Sequence, residues 1–327
     1  MRLLVLVLTL ACAAPALADP PAAAPAPSAG FAHGRVRFDY HSGFLMNLHH
    51  TLYKLARRPK EAEAFLARAT PAEATDLQAA LSFYRDHYAE RELLFDEPMP
   101  AIKRALSVDD DARRDPHGLA LPPGLLDALA RAAPPYARLA WAQDDAVNRA
   151  WIARTRELDA RYGGTVQAAV EHGLMAGFPA RPVRVDLVLD TGKRQGGYTD
   201  TQIVIPAGRP SYQDLAGFEM LYHEAAHVES SDRLEKAIAA RAAVRGRDLE
   251  TELWHALHFY TVGAAVTSAV AGDQLQYVQY AERQGLFAGP WSSYVPSIDA
   301  DWKPYLAGRE AWQEAIDHMV ERLPAAK

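Results

Sequence analysis

Two histidines and one glutamate form the most reactive combination of side chains in the sequence. His223 and His227 are four residues apart, and Glu224 directly follows the first of them, in the pattern His-Glu-Ala-Ala-His. On an α-helix, side chains four residues apart project from one face, so both imidazoles can bind a single metal ion. Glu224 lies about 100° around the helix, where a carboxylate can act as a general base. The spacing predicts a zinc site in which Glu224 is catalytic.

A third metal ligand is expected on a later helix. The segment 249–271 has helical periodicity and carries Glu252 and His255, three residues apart on one face. The 24 residues between His227 and Glu252 are enough for one helix to end and a second to return antiparallel. We predict Glu252 as the third ligand and His255 as a catalytic hydrogen-bond donor to the reaction intermediate. The alternatives for the third ligand are His255, Glu250, His258 and groups upstream of the motif.

The elements that position the motif can be predicted from local patterns. Ser211 to Asp214 offers a helix start, and helical periodicity continues from there through the motif. Upstream, 183–189 alternates apolar and polar residues and 201–205 is β-branched, so both segments predict strands, as a hairpin or as neighbours. Pro206 removes an amide donor, which favours an edge position for the second strand. The motif helix is therefore expected to follow an edge strand.

This combination resembles the active-site core of the zincin metallopeptidases. The resemblance rests on HEAAH at 223–227 and TQIVIPA at 201–207, and it extends over roughly residues 183–262. It implies a zinc-dependent peptidase whose edge strand binds an extended polypeptide by β-augmentation. The glycine and third histidine of the metzincins are missing after His227, and neither N-E-x-x-S-D nor G-A-M-E-N occurs. The arrangement is most similar to the gluzincins, which have a carboxylate ligand on a later helix.

Most of the remaining chain has helical periodicity, with apolar residues at spacings of three and four. The expected fold class is α+β and mainly α-helical, with zincin-like helices and a small sheet. We place a helical N-terminal lobe at 31–175 and a zincin-like metal-binding lobe at 176–327. The predicted helices are 43–57, 60–69, 76–93, 124–132, 136–162, 164–174, 213–230, 233–245, 249–271, 273–284 and 308–322.

The first thirty residues predict export from the cytoplasm. A basic residue and an apolar run precede Ala18, which ends a small-x-small cleavage site. Residues 1–18 are therefore predicted to be a signal peptide cleaved after Ala18. Residues 19–30 are a Pro/Ala linker, so the mature protein is expected in the periplasm or outside the cell. Lipid anchoring at Cys12 is the less favoured alternative.

Composition excludes several classes of function. The 35 basic and 41 acidic residues give a formal charge of -6, which argues against a nucleic-acid partner. Cys12 is the single cysteine, so the body has no disulfide, thiolate metal site or cysteine nucleophile. Nothing after the signal peptide reaches about 18 consecutive apolar residues, so no integral membrane span is expected. A polypeptide or peptide substrate is the expected partner.

Other polar residues have competing interpretations. Asn47, His49 and His50 can line a cleft opposite the metal, although an ordinary amphipathic helix is favoured. Tyr198 precedes the second strand with Asp200, and its hydroxyl can stabilise an oxyanion or anchor a turn. The alternatives to a peptidase are a catalytically silent zincin-like binding protein and a non-peptidic amidase or esterase. Manganese and cobalt are the alternatives to zinc.

Overall fold

The chain folds into helices around one small sheet. The computed structural model describes residues 34–192, 197–199, 202–246 and 252–323. The predicted signal peptide at 1–18, the linker at 19–30, Asp200 and Glu250 lie outside these ranges. The predicted fold class, α+β and mainly α-helical, is confirmed.

The helices from α1 to α6 follow the predicted pattern, but their ends are shifted. Thr70 caps α3, because its side chain accepts a hydrogen bond from the Glu73 amide while the Glu73 carboxylate accepts one from the Thr70 amide. This capping box starts α3 before the predicted residue 76. A short helix at 99–106 was not predicted. The bounds are α1 Phe44–Arg57, α2 Pro59–Leu66, α3 Pro71–His87, α4 Met99–Leu106, α5 Pro123–Tyr136 and α6 Ala142–Leu174.

Two helices, α6 and the following α7, are longer than predicted. The predicted segment 136–162 begins with a π-helical turn at Ala137–Trp141 and continues through 164–174 as α6. Segments 213–230 and 233–245 merge into one helix, α7. The paired glycines at 163 and 164 leave α6 unbroken, and a Cβ at Gly163 would lie 2.6 Å from the Tyr222 hydroxyl of α7. That glycine therefore permits close packing of α6 on α7. The bounds are α7 Asp214–Val244, α8 Leu253–Ala271, α9 Tyr280–Arg283, α10 Val295–Ser297, α11 Lys303–Leu306 and α12 Trp312–Arg322.

The sheet has four strands in the described residues. They are β1 Phe38–His41, β2 Val183–Val188, β3 Gly197–Thr199 and β4 Gln202–Pro206. Their spatial order is β1-β2-β4-β3, with β1, β2 and β4 parallel and β3 antiparallel to β4. The two predicted strands, β2 and β4, are thus parallel neighbours and do not form a hairpin.

The predicted edge position of β4 is wrong. Strand β3 pairs with β4 from Gln202 to Val204, so β4 is internal and β3 is the edge strand on that side of the sheet. Pro206 is the last residue of β4 and lies past its register with β3. Its missing amide donor therefore costs no hydrogen bond to β3, and the strand tolerates the proline inside the sheet.

Each face of the sheet packs against a different group of helices. Side chains alternate along a strand, so odd-numbered residues of β2 and β4 join a core with α6, α7, α8 and α12. Val188 and Val204 face the other way, into a core built by α1, α3, α4 and α5. Helix α6 belongs to the first of these cores from Trp151 onward. The lobe boundary at 175/176 remains a prediction.

The polar residue in the middle of β2 is also buried. Asp186 is 1% exposed, and its carboxylate accepts hydrogen bonds from Arg184 Nε at 3.0 Å and Gln202 Nε2 at 3.1 Å. Burial raises the pKa of this carboxyl, and the nearby Arg184 guanidinium opposes that rise. The alternating sequence therefore marks two buried faces, one of which contains a satisfied polar network.

Among the described helices, none is both long enough and apolar enough to cross a bilayer.

Candidate metal centre

Helix α7 carries the His-Glu-Ala-Ala-His motif in a buried stretch near its middle. The helix begins at Asp214, after a 3₁₀ turn at Pro210–Tyr212, and the predicted side-chain cap at its start is not formed. Gly217 lets the 3₁₀ turn pack closely against α7, because a Cβ at this position would lie 2.2 Å from the Tyr212 carbonyl oxygen. His223 and Glu224 are 2% and 6% exposed, and His227 is half-buried. The motif is part of the core rather than of a solvated helix face.

The two motif histidines point their Nε2 atoms at each other. His223 Nε2 and His227 Nε2 are 3.0 Å apart. Two nitrogens that are each about 2.0–2.1 Å from one tetrahedral zinc ion would be about 3.3 Å apart, so only a small movement separates this pair from a ligand geometry. Neutral imidazoles at this distance either share one Nε2 proton or bind one ion. The structure therefore brings the two rings together on one face of α7, and their binding of an ion remains a prediction.

The environment of the pair favours neutral imidazoles. Burial lowers the pKa of His223 well below its ordinary value, and the neighbouring histidines lower it further. Burial also lowers the pKa of His227, with smaller contributions from His258 and His255. Metal ligands must be deprotonated, so a pair that is neutral at physiological pH offers its lone pairs without a proton to displace.

A third imidazole completes a compact group. Ligand atoms of His223, His227 and His258 all lie within 4.8 Å of one another, so the described residues contain a group that could hold a metal ion. His258 was predicted only as one of the alternatives for the third ligand. His258 lies on α8, is fully buried, and stacks on the His227 ring at 4.1 Å with an interplanar angle of 11°.

Hydrogen bonds direct His258 toward α7 rather than toward an ion. Its Nε2 lies 2.9 Å from the His223 carbonyl oxygen, which only accepts, so this nitrogen must carry the proton. Its Nδ1 then has the lone pair and faces the Ser230 hydroxyl at 3.1 Å. Burial lowers the pKa of His258 to about 3, which fits one proton on the ring. We therefore assign His258 to holding the motif turn, although its distance alone would allow a ligand role.

The predicted third ligand, Glu252, precedes the first residue of α8. It is the N-cap residue and is exposed, so it lies just outside the helix that carries His255. Its Oε2 accepts a hydrogen bond from Trp291 Nε1 at 3.0 Å. Within the described part of the chain, neither Glu252 nor His255 joins the 4.8 Å group. Their roles remain predictions.

His255 is nevertheless close to the motif pair. Its ring centroid lies 5.2 Å from that of His227 and 5.5 Å from that of His223. Trp254 stacks on His255 at 4.8 Å, and Trp291 packs edge-on at 5.5 Å. The half-buried His255 thus sits in an aromatic wall beside the two motif rings.

Two tyrosines lie near the general-base candidate. Burial raises the pKa of Tyr212 well above its ordinary value, and the negative charge of Glu224 is the next largest cause. The Tyr212 and Tyr280 rings are 5.6 Å apart, and the Glu224 charge also contributes to the raised pKa of Tyr280, for which burial is the main cause. The carboxylate therefore has phenolic hydroxyls in its surroundings. Neither tyrosine was singled out from the sequence, since each is far from the motif along the chain or outside its helical face.

A second carboxylate on α7 is buried one turn before the motif. Glu219 is fully buried and accepts hydrogen bonds from the Tyr277 hydroxyl at 2.8 Å and the Tyr280 amide at 3.0 Å. Burial raises its pKa to about 7, against the effect of these hydrogen bonds. Glu219 ties α7 to the segment that supplies Tyr280. Glu219 was not among the predicted site residues, although its spacing of four residues before His223 is visible in the sequence.

One support for the motif was visible in the sequence. Ser231 follows His227 by four residues, so the two share a helical face, and its hydroxyl lies 2.6 Å from His227 Nδ1. A hydrogen bond to the second ring nitrogen fixes the orientation of a ligand histidine. The corresponding atom of His223, Nδ1, is buried and has no hydrogen-bond partner within the described ranges.

The upstream candidates lie in the other core. His49 Nδ1 contacts the Tyr84 hydroxyl at 2.7 Å, and His50 Nδ1 contacts the Asp190 carbonyl oxygen at 2.8 Å. Asn47 donates to the Leu187 carbonyl at 2.9 Å and so ties α1 to the end of β2. None of these residues belongs to the histidine group on α7 and α8. Tyr198 lies in β3.

Asp301, Glu310 and His318 also bring ligand atoms within 4.8 Å of one another. Their charges are already used by other contacts, however. Asp301 accepts a hydrogen bond from Arg322 Nε at 2.8 Å, and Glu310 contacts His318 Nδ1 at 2.6 Å. We interpret this group as two ion pairs that hold α12 in place.

No protein-family model matches this chain, and no curated protein or solved structure is significantly similar to it. The resemblance of its motif to the zincin metallopeptidases remains a prediction.

Proposed function

We propose that the protein is a zinc-dependent hydrolase of amide bonds, with polypeptides as its substrates. The observation that carries the proposal is the 3.0 Å approach of His223 Nε2 to His227 Nε2, with the Glu224 carboxylate on the adjacent face of the same helix. Three features support it: His223 is buried and His227 half-buried, burial lowers the pKa of both, and Ser231 orients His227. A structural pair of histidines would not require a carboxylate between them.

The donor set suits zinc. His223 and His227 offer nitrogen, and Glu252 is proposed to add oxygen; no thiol is present in the described residues. The Trp291 Nε1 hydrogen bond to Glu252 supports this role, since carboxylates that bind metals are themselves held by hydrogen bonds. When bound, the metal would supply Lewis-acid activation of water and of a carbonyl group.

The side chains of the protein would perform the remaining work. Glu224 would accept a proton from the attacking water at its carboxylate and deliver it to the nitrogen of the departing amine. His255 would donate a hydrogen bond to the developing oxyanion from within the aromatic wall. His258 would keep the motif turn in place through its bond to the His223 carbonyl oxygen.

The substrate would bind along the edge strand, which is β3 and not the predicted β4. Strand β3 ends the sheet in the described residues and runs beside α7. An extended polypeptide can add to such an edge through main-chain hydrogen bonds. This orientation would align its backbone with the helix that carries Glu224.

The test is Glu224→Gln, with Glu229→Gln as the matched control. Glu229 lies on the same helix but is exposed, so its substitution should change neither the metal content nor the activity. Glu224→Gln should retain its zinc and lose at least about a hundredfold in hydrolysis of casein or a peptide library, because the general base is gone. Zinc content is measured by elemental analysis of the same samples.

Full activity of Glu224→Gln in a chelator-sensitive preparation would remove Glu224 from the mechanism. Zinc binding by the wild type without turnover of any peptide, amide or ester would instead support the catalytically silent binding protein. Turnover of small amides or esters but not of peptides would favour a non-peptidic amidase or esterase.

A further inference from the structure

A second concave site lies on the other side of the sheet. A cavity of about 620 Å³ opens between α1, α2, the π-helical turn before α6 and the segment after β4. Small-molecule sites usually have volumes of about 300–1,000 Å³. His223, His227 and His258 do not line it, so this cavity is separate from the metal centre.

One part of the cavity wall is apolar. Leu55, Phe65, Leu139 and Leu189 all line it. A ligand that buries an aliphatic side chain there would gain hydrophobic free energy in proportion to the area removed from water. Charged groups occupy the rest of the wall, so the ligand must be apolar on one side and charged on the other.

Two charged wall residues of opposite sign lack an ion-pair partner. Asp144 accepts a hydrogen bond from the Tyr136 hydroxyl at 2.7 Å, but no cation pairs with it in the described ranges. Arg68 donates to the Leu139 carbonyl oxygen and likewise pairs with no described carboxylate. Burial raises the pKa of Asp144, while the charges of Lys54 and Arg68 act to lower it, which places all three in one electrostatic environment.

The other charges of the wall are already compensated. Lys54 Nζ lies 3.0 Å from Glu61, and Arg209 lies 3.6 Å from Asp190. These ion pairs leave the Asp144 carboxylate and the Arg68 guanidinium to bind a ligand.

His50 adds a hydrogen-bond acceptor to the same wall. It lines the cavity and is 2% exposed. Its Nδ1 must donate to the Asp190 carbonyl oxygen, because that oxygen only accepts. Its Nε2 then carries the lone pair and has no hydrogen-bond partner among the described residues. A buried acceptor without a partner is costly, and a ligand N–H group would satisfy it.

We propose that this cavity binds a small zwitterion with an aliphatic side chain, either a free α-amino acid or a short peptide. Its ammonium group meets Asp144 and His50 Nε2, its carboxylate meets Arg68, and its side chain packs on the leucines and Phe65. A bidentate guanidinium–carboxylate contact gives this end its specificity. The proposal does not depend on the metal centre.

The probes are L-leucine, N-acetyl-leucine, leucinamide and leucyl-leucine, titrated by calorimetry into the full chain. Leucyl-leucine is titrated into Glu224→Gln so that hydrolysis cannot consume it. N-acetyl-leucine lacks the ammonium group and leucinamide lacks the carboxylate. Each should bind at least about tenfold more weakly than leucine, the scale of one charge-assisted hydrogen bond. The relative affinities of leucine and leucyl-leucine distinguish the free amino acid from the peptide.

Two variants assign the ends of the ligand. Asp144→Asn should weaken leucine at least about tenfold but leave N-acetyl-leucine unchanged, and Arg68→Gln should weaken leucine but not leucinamide. Matched controls are Asp127→Asn and Arg131→Gln, two exposed residues of α5 outside the cavity, which should bind all four probes as the wild type does.

Several results would overturn the proposal. Absence of heat from leucine and leucyl-leucine at about 10 mM would exclude a site of useful affinity. Equal affinities for leucine and its two blocked forms in the wild type would show that charge is not recognised. That comparison needs no variant, so it stands even if Asp144→Asn or Arg68→Gln fails to fold.

Discussion

Two pairs of histidines occupy the two cores of this protein, and the rings meet in one pair but not in the other. His223 and His227 lie four residues apart on α7 and bring their Nε2 atoms to 3.0 Å. His49 and His50 are adjacent on α1, and their rings are 84° apart with centroids at 5.6 Å. His49 contacts the Tyr84 hydroxyl, whereas His50 contacts the Asp190 carbonyl oxygen.

Burial is common to both pairs and does not distinguish them. It lowers the pKa of His49 well below its ordinary value and that of His50 to about 4, as it lowers the values for the motif pair. The spacing of each pair along its helix decides whether its two rings meet. Adjacent residues on a helix are about 100° apart and face different neighbours, whereas residues four apart stack on one face. Of the two buried pairs, only the one that the helix aligns brings two imidazole nitrogens to one point, as a metal site requires.

The largest expected effect is the loss of metal on breaking the motif pair. His223→Ala should abolish stoichiometric zinc binding, because a single remaining motif imidazole cannot hold the ion tightly. His50→Ala removes an equally buried imidazole and should leave zinc content unchanged. Elemental analysis of both proteins makes the comparison. If His223→Ala retains one zinc per chain, the motif pair is not the metal site.

The third ligand is tested by Glu252→Ala and His255→Ala. We expect Glu252→Ala to be isolated largely without zinc, and His255→Ala to keep close to one zinc while losing turnover. Zinc content and hydrolysis are measured on the same preparations. Reversed results would exchange the two roles. Retention of zinc by both variants would direct attention to His258.

The buried carboxyl of Glu219 should make stability depend on pH. Its pKa rises from 4.5 to about 7 on folding, so the folded state binds the proton more tightly. The resulting stability is fully present below pH 4.5 and is lost as the pH rises through 7, by about 3 kcal/mol at most. Glu219→Gln has no carboxyl at this position to titrate, so its free energy of unfolding should vary less across this range.

Chemical denaturation of wild type and Glu219→Gln at several pH values between 4.5 and 8 measures the difference. The Glu61→Gln variant is the control, because that exposed carboxyl lies outside the core and its pKa is lowered by Arg58 and Lys54, against a burial effect. Parallel pH profiles for wild type and Glu219→Gln would show that Glu219 is not the titrating group.

The smallest expected effect comes from His258, which we assign to positioning. His258→Phe keeps an aromatic ring to stack on His227 but cannot donate to the His223 carbonyl oxygen. We expect zinc affinity to fall about 10- to 100-fold, the usual cost of losing a supporting hydrogen bond, with one zinc still bound at saturation. Competition with a chelator gives the affinity. Loss of all zinc would make His258 a ligand instead.

The spacing of apolar residues was sufficient to predict a helix or a strand where the outcome depended on that segment alone. Most of the predicted helices and both predicted strands are present, because apolar spacing marks the buried face of each element. The predicted helix 273–284 is wrong, since only Tyr280–Arg283 is helical. The prediction failed where pairing or packing with another element decided the outcome. Strand β4 was predicted to be an edge from Pro206 alone, but β3 covers it. The predicted helices 136–162 and 164–174 lie on either side of Gly163, although that glycine is inside α6 and makes room for Tyr222.

The sequence by itself determined the motif pair and its general-base candidate, because a helix fixes the relation of residues 223, 224 and 227 whatever surrounds it. Apart from Ser231 on the same helix, only the tertiary structure decided which side chains support them. His258 reaches the motif from α8, and Trp291 reaches Glu252 from a still later segment, through the packing of apolar surfaces. Contacts of that kind depend on the combined burial of many residues, which no local spacing encodes.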